Sequence, residues 1–205
     1  MRKLTGEKLE AELARLEGMR AYEHQYESAG IVCGIDEAGR GPLAGPVVAA
    51  VAVLPKDCTI LRLNDSKKLS EKCREELFLE IKEKAAAYGI GIVSPEVIDS
   101  INILQATYEA MRQAVAQLPQ EPDIFLNDAV IIPGISEEKQ IKIIKGDAKS
   151  VSIAAASILA KVTRDHMMME YDEIYPEYGF GKHKGYGTKA HIEALKTFGP
   201  CPIHR

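Results

Sequence analysis

The sequence contains no tryptophan, and aromatic residues make up only 6% of its 205 residues. No apolar run approaches the roughly 20 residues of a membrane-spanning helix, and the N-terminus lacks the hydrophobic segment of a secretory signal. Hydrophobic residues account for 46% and charged residues for 27% of the chain, which is ordinary for a globular protein. We therefore expect a globular protein with no membrane partner and a cytoplasmic location.

Cysteine is also scarce, and its spacing does not suggest metal binding. Cys33, Cys58, Cys73 and Cys201 form no C-x-x-C pair and no ligand-like spacing with the five histidines. This pattern argues against a zinc site. Free thiols in a reducing compartment are the favoured interpretation.

Basic charge is in short supply for a nucleic-acid-binding protein, since the formal net charge is −4 and such proteins are usually basic. The charge is, however, unevenly distributed along the chain. Residues 139–205 contain 11 Lys and Arg against 7 Asp and Glu, whereas residues 1–138 contain 15 against 23. The C-terminal third could therefore supply a phosphate-facing surface.

Apolar periodicity predicts an α/β fold. Predicted strands cover residues 31–35, 45–54, 87–93, 124–126 and 140–144. Predicted helices cover residues 7–27, 71–86, 95–118 and 148–164, with a short one after Thr188. The link between the first two strands is too short for a crossover helix, so these strands should be antiparallel neighbours. The order predicts a mixed five-stranded sheet with helices on both faces.

Acidic residues fall at the ends of the predicted strands or just beyond them. Asp36 and Glu37 follow the first apolar run, Asp128 closes the fourth, and Asp147 lies between the fifth strand and the following apolar helix. A sheet would bring these distant carboxylates together, and clustered carboxylates repel one another unless a cation neutralises them. Divalent ions such as Mg²⁺ favour oxygen ligands, and a pair of them can drive phosphodiester hydrolysis.

Each acid also has a structural explanation. Asp147 could be a helix N-cap, and Asp128 could be a turn residue. Asp36 and Glu37 are harder to explain in this way, because burying two acids is costly unless they are paired or metal-bound. Adjacent strand residues point to opposite faces, so both reach one site only if the strand ends or bends at Glu37, which Gly39 would allow.

Three further segments could contact a ligand. The loop at residues 38–42 is glycine-rich, but Pro42 and the Val/Ala-rich strand after it argue against a dinucleotide-binding loop. The loop at residues 182–189 is cationic and carries Tyr186, so it could bind nucleic acid or be a solvated surface loop. Residues 65–68 could bind phosphate or form a solvated turn. The simplest role for Lys149, Lys161 and Arg164 is to extend to solvent.

At these residues the sequence closely resembles the bacterial ribonuclease HII family. The matching segments are GIDEAGRGPLAGPVVAAVAVLP at 34–55, NDSKKLS at 64–70, KGDAKSVSIAAASILAKVTRD at 145–165 and HKGYGTKAH at 183–191. The resemblance implies an RNase H-like fold with a C-terminal helical segment. It also implies Mg²⁺- or Mn²⁺-dependent, two-metal-ion cleavage of the RNA strand of RNA–DNA hybrids. Incision on the 5′ side of single ribonucleotides in duplex DNA, leaving 3′-hydroxyl and 5′-phosphate ends, is implied as well.

The resemblance also assigns roles to individual residues. It implies that the catalytic, metal-binding acids are Asp36, Glu37, Asp128 and Asp147. It implies that the substrate-binding residues are Gly39, Arg40 and Gly41 at the ribose 2′-hydroxyl, Tyr186 beside the junction, and Lys67 or Lys68 at a phosphate. One residue departs from the family pattern: Asn127 stands where an apolar residue usually precedes the third acid.

We expect residues 1–28 to form a helical extension and residues 29–205 to form the catalytic domain, acting as a monomer. The sister family, ribonuclease HIII, carries a separate N-terminal domain that so short an extension cannot form. A two-metal nuclease for DNA junctions and a non-catalytic hybrid-binding module remain as alternatives. An oxidoreductase is the weakest of the alternatives.

Overall fold

The computed structural model describes residues 4–205, which contain a five-stranded sheet with helices on both faces. The strands are β1 (Val32–Ala38), β2 (Val47–Val53), β3 (Ala87–Val93), β4 (Ile124–Asp128) and β5 (Gln140–Ile143). Their order across the sheet is β3-β2-β1-β4-β5. β2 is antiparallel to both β1 and β3, whereas β4 is parallel to both β1 and β5. The mixed sheet and the antiparallel first pair are therefore confirmed.

The described part of the chain contains eight α-helices. They are α1 (Glu7–Met19), α2 (Ala21–Tyr26), α3 (Glu71–Lys84), α4 (Pro95–Ile101), α5 (Ile103–Val115), α6 (Val151–Ile174), α7 (Phe180–His183) and α8 (Lys189–Phe198). None of the helices within residues 4–205 is long and apolar enough to cross a membrane.

The predicted helix boundaries are wrong in four places. The helix predicted over residues 95–118 is broken at Asn102, which has φ +67° and caps α5 by accepting hydrogen bonds from the amides of Leu104 and Gln105. The N-terminal helix divides at Arg20. Helix α6 continues ten residues beyond its predicted end, and α7 lies within a segment predicted as loop.

The central strand β2 is buried on both faces of the sheet. Alternate residues Val48, Ala50 and Ala52 pack in the apolar cluster that contains α6, and the residues between them pack in the cluster that contains α5. This two-sided burial explains why the strand is a continuous apolar run rather than an alternating pattern. Helix α6 is apolar on nearly all sides because the sheet and α3 both cover it.

Helix α6 lies in unusually close contact with β1 at Gly34. A Cβ atom at this position would lie 2.1 Å from the carbonyl carbon of Ser152 and 2.2 Å from the amide nitrogen of Ile153. Both are backbone atoms and cannot rotate away as a side chain can. The absence of a side chain at Gly34 therefore sets how close the first turn of α6 lies to the sheet.

We expect Gly34→Ala to lower the free energy of unfolding by about 1–3 kcal/mol, the range typical of an overpacked core. Gly18→Ala in α1 is the matched control, because a Cβ there meets nothing within 4 Å. It should leave the free energy unchanged or raise it by up to about 1 kcal/mol, as alanine favours helix more than glycine does. Urea denaturation measures both changes, and equal stabilities for the two variants would contradict the close contact.

Candidate active site

Three predicted acids meet at one edge of the sheet. Asp36 lies near the end of β1, Asp128 ends β4, and Asp147 lies in the 3₁₀ turn Gly146–Ala148 before α6. Each offers a carboxylate oxygen, and these three oxygens lie within 4.8 Å of one another. The convergence follows from topology, because β1 and β4 are parallel neighbours and their carboxyl ends therefore lie side by side at the same end of the sheet.

Hydrogen bonds hold these carboxylates in place. The Asp36 carboxylate accepts a bond from the amide of Glu37 at 2.7 Å and another from the Ser157 hydroxyl. Ser157 is also 2.9 Å from the hydroxyl of Ser66, which ties the segment at residues 65–68 to the site. Asp128 accepts a bond from the amide of Gly146 at 2.7 Å, so it anchors the turn that carries Asp147.

The interpretation of Asp147 as a helix N-cap is wrong, because Ser150 and not Asp147 caps α6.

The departure from the family pattern at Asn127 has a physical reason. Its buried side-chain amide donates to the Oε1 atom of Gln140 at 2.8 Å, and Gln140 donates in turn to the carbonyls of Ile132 and Ile135. Gln140 on the neighbouring strand thus supplies a partner for the amide nitrogen of Asn127, whereas its Oδ1 atom is buried without a partner within residues 4–205.

Burial and mutual repulsion disfavour the charged forms of these acids. Burial, followed by the charges of Glu37 and Asp128, raises the pKa of Asp36 well above its usual range. Burial, followed by the charges of Asp65 and Asp128, raises the pKa of Asp147 to about 6. A set of crowded oxygen donors with raised pKa values fits a hard divalent cation, which would relieve the repulsion.

Glu37 lies outside this group of three. Strand β1 continues through Ala38 instead of ending at Glu37, and Glu37 pairs with Ala49, which packs on the α5 side of the sheet. Its Oε1 atom is 3.3 Å from the guanidinium of Arg40. Its Oε2 atom is buried and has no hydrogen-bond partner within residues 4–205. Burial raises the pKa of Glu37, although Arg40 opposes the shift.

The glycine-rich loop after β1 is held by Arg164, which is only 1% exposed. Arg164 donates hydrogen bonds of 2.9 Å to the carbonyl oxygens of Pro46, Ala44 and Lys184. Gly39 has φ +101°, and a Cβ there would lie 2.3 Å from Nε of Arg164, so a larger residue would be both strained and blocked. The interpretation of Arg164 as extending to solvent is therefore wrong.

Arg164 also brings the C-terminal loop to the glycine-rich loop. Tyr186, two residues after the carbonyl held by Arg164, places its ring carbon Cε1 3.7 Å from the position of a Cβ on Gly41. The Tyr186 side chain is 45% exposed, so one surface of it is accessible. Sequence reasoning missed Arg164, because nothing in a helical pattern indicates which cation is buried.

The two candidate lysines differ in their surroundings. Burial lowers the pKa of Lys67, but the charges of Asp36 and Asp147 outweigh it, so the net shift is upward. Lys67 therefore lies in the field of the acidic cluster. Asp65, another residue that sequence reasoning left unassigned, hydrogen-bonds to Asp147. The only sequence signal for Asp65 was its place in the motif that contains both lysines.

Comparisons with known proteins agree with this geometry. The family model described as Ribonuclease HII matches residues 33–205. The chain is 60% identical over 199 residues to Ribonuclease HII of Lachnoclostridium phytofermentans, covering 97% of this chain and 78% of that protein. It is also 60% identical over 193 residues to Ribonuclease HII of Clostridioides difficile, covering 93% and 75%.

Among solved structures, ribonuclease H2 from Pyrococcus horikoshii matches with a TM-score of 0.67 and 29% identity, covering 85% of this chain and 92% of that one. The match confirms the predicted RNase H-like fold. The family match and the sequence identities support the same family assignment. The chain belongs to the ribonuclease HII family, the type 2 ribonuclease H endonucleases.

Proposed function

We propose that this endoribonuclease hydrolyses the RNA strand of RNA–DNA hybrids and incises duplex DNA on the 5′ side of a single embedded ribonucleotide. The products would carry 3′-hydroxyl and 5′-phosphate ends. One observation carries the proposal: three carboxylates from separate elements converge within 4.8 Å at a sheet edge. The glycine-rich loop at residues 38–42 directly follows Glu37, and within 4 Å of a Cβ on its Gly41 there would be only the Tyr186 ring.

The metal ligands in this proposal are Asp36, Asp128 and Asp147, with Glu37 contributing from the other face of β1. Bound Mg²⁺ or Mn²⁺ ions would activate water and stabilise charge on the leaving oxygen. The protein's part is to hold the ligands at fixed positions before the ions arrive. The buried, unpartnered Oε2 atom of Glu37 supports its inclusion, since an orphaned buried oxygen is costly without a partner.

Recognition of the ribonucleotide would fall to the backbone of Gly39, Arg40 and Gly41. A backbone group reads a 2′-hydroxyl only if the sugar can approach closely, and Gly41 offers no side chain to prevent this. Tyr186 lies against Gly41 and would pack on the neighbouring sugar or base. Arg205 donates to the carbonyl of Gly39 and steadies the loop from its other side.

We propose that the N-terminal residues 1–28, of which residues 1–3 lie outside the described part of the chain, are a helical extension that stabilises the catalytic domain of residues 29–205. Leu16 and Met19 of α1 are buried in the apolar cluster that contains α6. Glu23 accepts hydrogen bonds from the Ser150 hydroxyl at 2.6 Å and the Ser152 amide at 3.0 Å, which supports the start of α6. We propose that the protein acts as a cytoplasmic monomer.

The direct test compares three duplexes: DNA with one embedded ribonucleotide, a continuous RNA–DNA hybrid, and DNA alone, each with Mg²⁺ and with Mn²⁺. We expect cutting of the first two, and incision 5′ of the single ribonucleotide. Mapping the product ends by denaturing electrophoresis checks the position of the cut. Equal cutting of plain DNA would favour a DNA junction nuclease, and binding without turnover would favour a non-catalytic hybrid-binding module.

Removing one carboxylate of the cluster should abolish cutting and stabilise the metal-free protein. Asp36→Asn and Asp147→Asn should each reduce the rate at least about 100-fold, because metal ions supply several kcal/mol and about 1.4 kcal/mol is tenfold. Since the pKa of Asp147 in the folded protein is raised to about 6, its ionisation destabilises the fold as pH rises through that value. At pH about 8 in a chelator, Asp147→Asn should therefore have the higher Tm.

Asp57→Asn is the control for these two variants, because Asp57 is exposed and lies outside the site. It should change neither the cutting rate nor the Tm. Near-normal cutting by either cluster variant would remove that residue from the proposed metal site.

The two lysines should separate in a phosphate-contact assay. We propose that Lys67 and not Lys68 contacts a substrate phosphate, because Lys67 lies in the field of Asp36 and Asp147. Lys67→Ala should raise KM roughly 10- to 150-fold, as expected for a charge-assisted hydrogen bond of about 1.5–3 kcal/mol. The effect should shrink at high salt. Lys68→Ala is the matched control. A larger effect at Lys68 would contradict the assignment.

A further inference from the structure

Three histidines, of which His191 is buried and the other two are partly buried, form a cluster next to the backbone of Tyr186. The rings of His183 and His191 stack with centroids 4.5 Å apart, and the centroid of His204 lies 5.2 Å from that of His191. His191 has no exposed surface. Nothing in the proposed chemistry at the carboxylates uses these histidines, so their arrangement needs a separate explanation.

Hydrogen bonds fix which ring nitrogens of His204 and His191 carry a proton. The amide of Cys201 donates to Nδ1 of His204 at 2.9 Å, so the proton of His204 is on Nε2. That Nε2 atom is 2.9 Å from Nε2 of His191, which must therefore accept. The proton of His191 is then on Nδ1, 3.0 Å from the carbonyl oxygen of Tyr186.

The opposite direction of this chain leaves both ends unsatisfied. If Nδ1 of His204 carried the proton, its oxygen acceptor would be the carbonyl of Cys201 at 3.3 Å. That contact is longer than the 2.9 Å bond from the Cys201 amide, and the carbonyl also accepts the backbone amide of His204 at 3.0 Å. The lone pair of His191 Nδ1 would then face the carbonyl of Tyr186, and the Cys201 amide would face a proton. The Cys201 sulfur, 3.1 Å from Nδ1 of His204, is only a weak acceptor for such a proton. The arrangement with Nδ1 of His204 as acceptor is therefore the one that gives the Cys201 amide an acceptor and the Tyr186 carbonyl a donor.

His183 follows the same pattern on the other side of His191. The amide of Gly185 donates to its Nδ1 atom at 3.3 Å, and its Nε2 atom donates to the carbonyl of Tyr178 at 2.8 Å. Burial lowers the pKa of both His191 and His204, which favours the neutral rings that the chain requires.

The loop that carries Tyr186 depends on such external contacts. Lys184 has φ +50° and Gly185 has φ +82°, and the left-handed conformation costs a lysine roughly 1–2 kcal/mol. Arg164 donates to the carbonyl of Lys184, and the amide of Leu43 donates to that of Gly185. Nδ1 of His191 donates to the carbonyl of Tyr186, which also accepts the amide of Thr188 at 2.7 Å. Three consecutive carbonyls thus each have a partner outside the loop.

We propose that His191 and His204 are positioning residues: their directed hydrogen-bond chain fixes the backbone of Tyr186 and so keeps its ring against Gly41 for ribonucleotide recognition. The inference rests on the proposed substrate contact of Tyr186. His204 connects this chain to the loop that follows β1, because it forms a β-bridge with Ala44.

The tautomers are directly measurable. Long-range ¹H–¹⁵N correlation spectra of the ¹⁵N-labelled protein at neutral pH distinguish the two neutral forms of each imidazole. We expect His183 and His204 to carry the proton on Nε2 and His191 to carry it on Nδ1. Either histidine of the pair in the opposite form, or protonated, would overturn the proposed chain whatever the activity data show.

Kinetics on duplex DNA with one ribonucleotide test the consequence. His191→Leu should reduce kcat/KM about 10-fold, mainly through KM, since base–aromatic stacking is worth about 1–3 kcal/mol and only part of it should be lost. His191→Asn should recover most of the loss, because its amide nitrogen can donate as Nδ1 does. His204→Leu should act in the same direction as His191→Leu. His24→Asn, at an exposed surface histidine, should have no effect.

A double-mutant cycle separates this inference from the role of Tyr186 itself. If His191 acts through Tyr186, His191→Leu should have almost no effect in a Tyr186→Ala background. Full additivity, or a silent His191→Leu beside a damaging Tyr186→Ala, would overturn the inference alone. A silent Tyr186→Ala would overturn the proposed substrate contact. Far-UV circular dichroism and the Tm of each variant show whether a loss of activity comes from unfolding. If His191→Leu unfolds while His191→Asn is folded and active, the result still supports the role of residue 191 as a hydrogen-bond donor.

Discussion

The close contact between helix α6 and strand β1 is the constraint on which the rest of the site depends. At Gly34 the helix backbone lies where a side chain would otherwise be, so the first turn of α6 can lie this close to the sheet only if residue 34 is a glycine. Asp147 lies just before this contact and Ser157, which bonds to Asp36, lies just after it. Arg164 follows Ser157 by seven residues, about two helical turns, and therefore lies on the same face. Helix α6 therefore carries both the hydrogen-bond partner of Asp36 and the arginine that holds both loops, and its start follows Asp147.

Repulsion among the carboxylates works against this arrangement. The fold nevertheless places three of them within 4.8 Å, and burial, followed by the charges of Asp65 and Asp128, raises the pKa of Asp147 to about 6. Hydrogen bonds from the Glu37 amide, Ser157 and the Gly146 amide offset part of the cost and also fix the carboxylates in orientation. The carboxylates are held away from solvent and closer together than their charges favour. A bound divalent cation would relieve this repulsion, and the relief would add to its affinity for the site. Stability without metal is reduced for the same reason.

The sequence predicted the features that are determined by residues close together in the chain. These are the five strands, the antiparallel pairing of the first two and the position of the acids at strand ends. The strands follow from the local apolar pattern, and the antiparallel pairing follows from the short link between β1 and β2. The break at Asn102 was not readable, since an Asn inside an amphipathic pattern gives no sign that its φ is positive. Burial of Arg164 depends on Pro46, 118 residues away, and helical spacing alone favours a solvent-exposed end for such a residue. The direction of the histidine chain depends on the Cys201 amide, which no side-chain motif encodes.

The choice of Arg164 as the link between the two loops has an electrostatic consequence. Its three acceptors are backbone carbonyls, and within residues 4–205 it forms no ion pair. Carbonyl dipoles satisfy the guanidinium protons without cancelling the charge, whereas a carboxylate would do both. Burial lowers the pKa of Arg164, but an arginine stays charged at neutral pH even so. A net positive charge therefore remains beneath the loops that would hold the sugar–phosphate backbone.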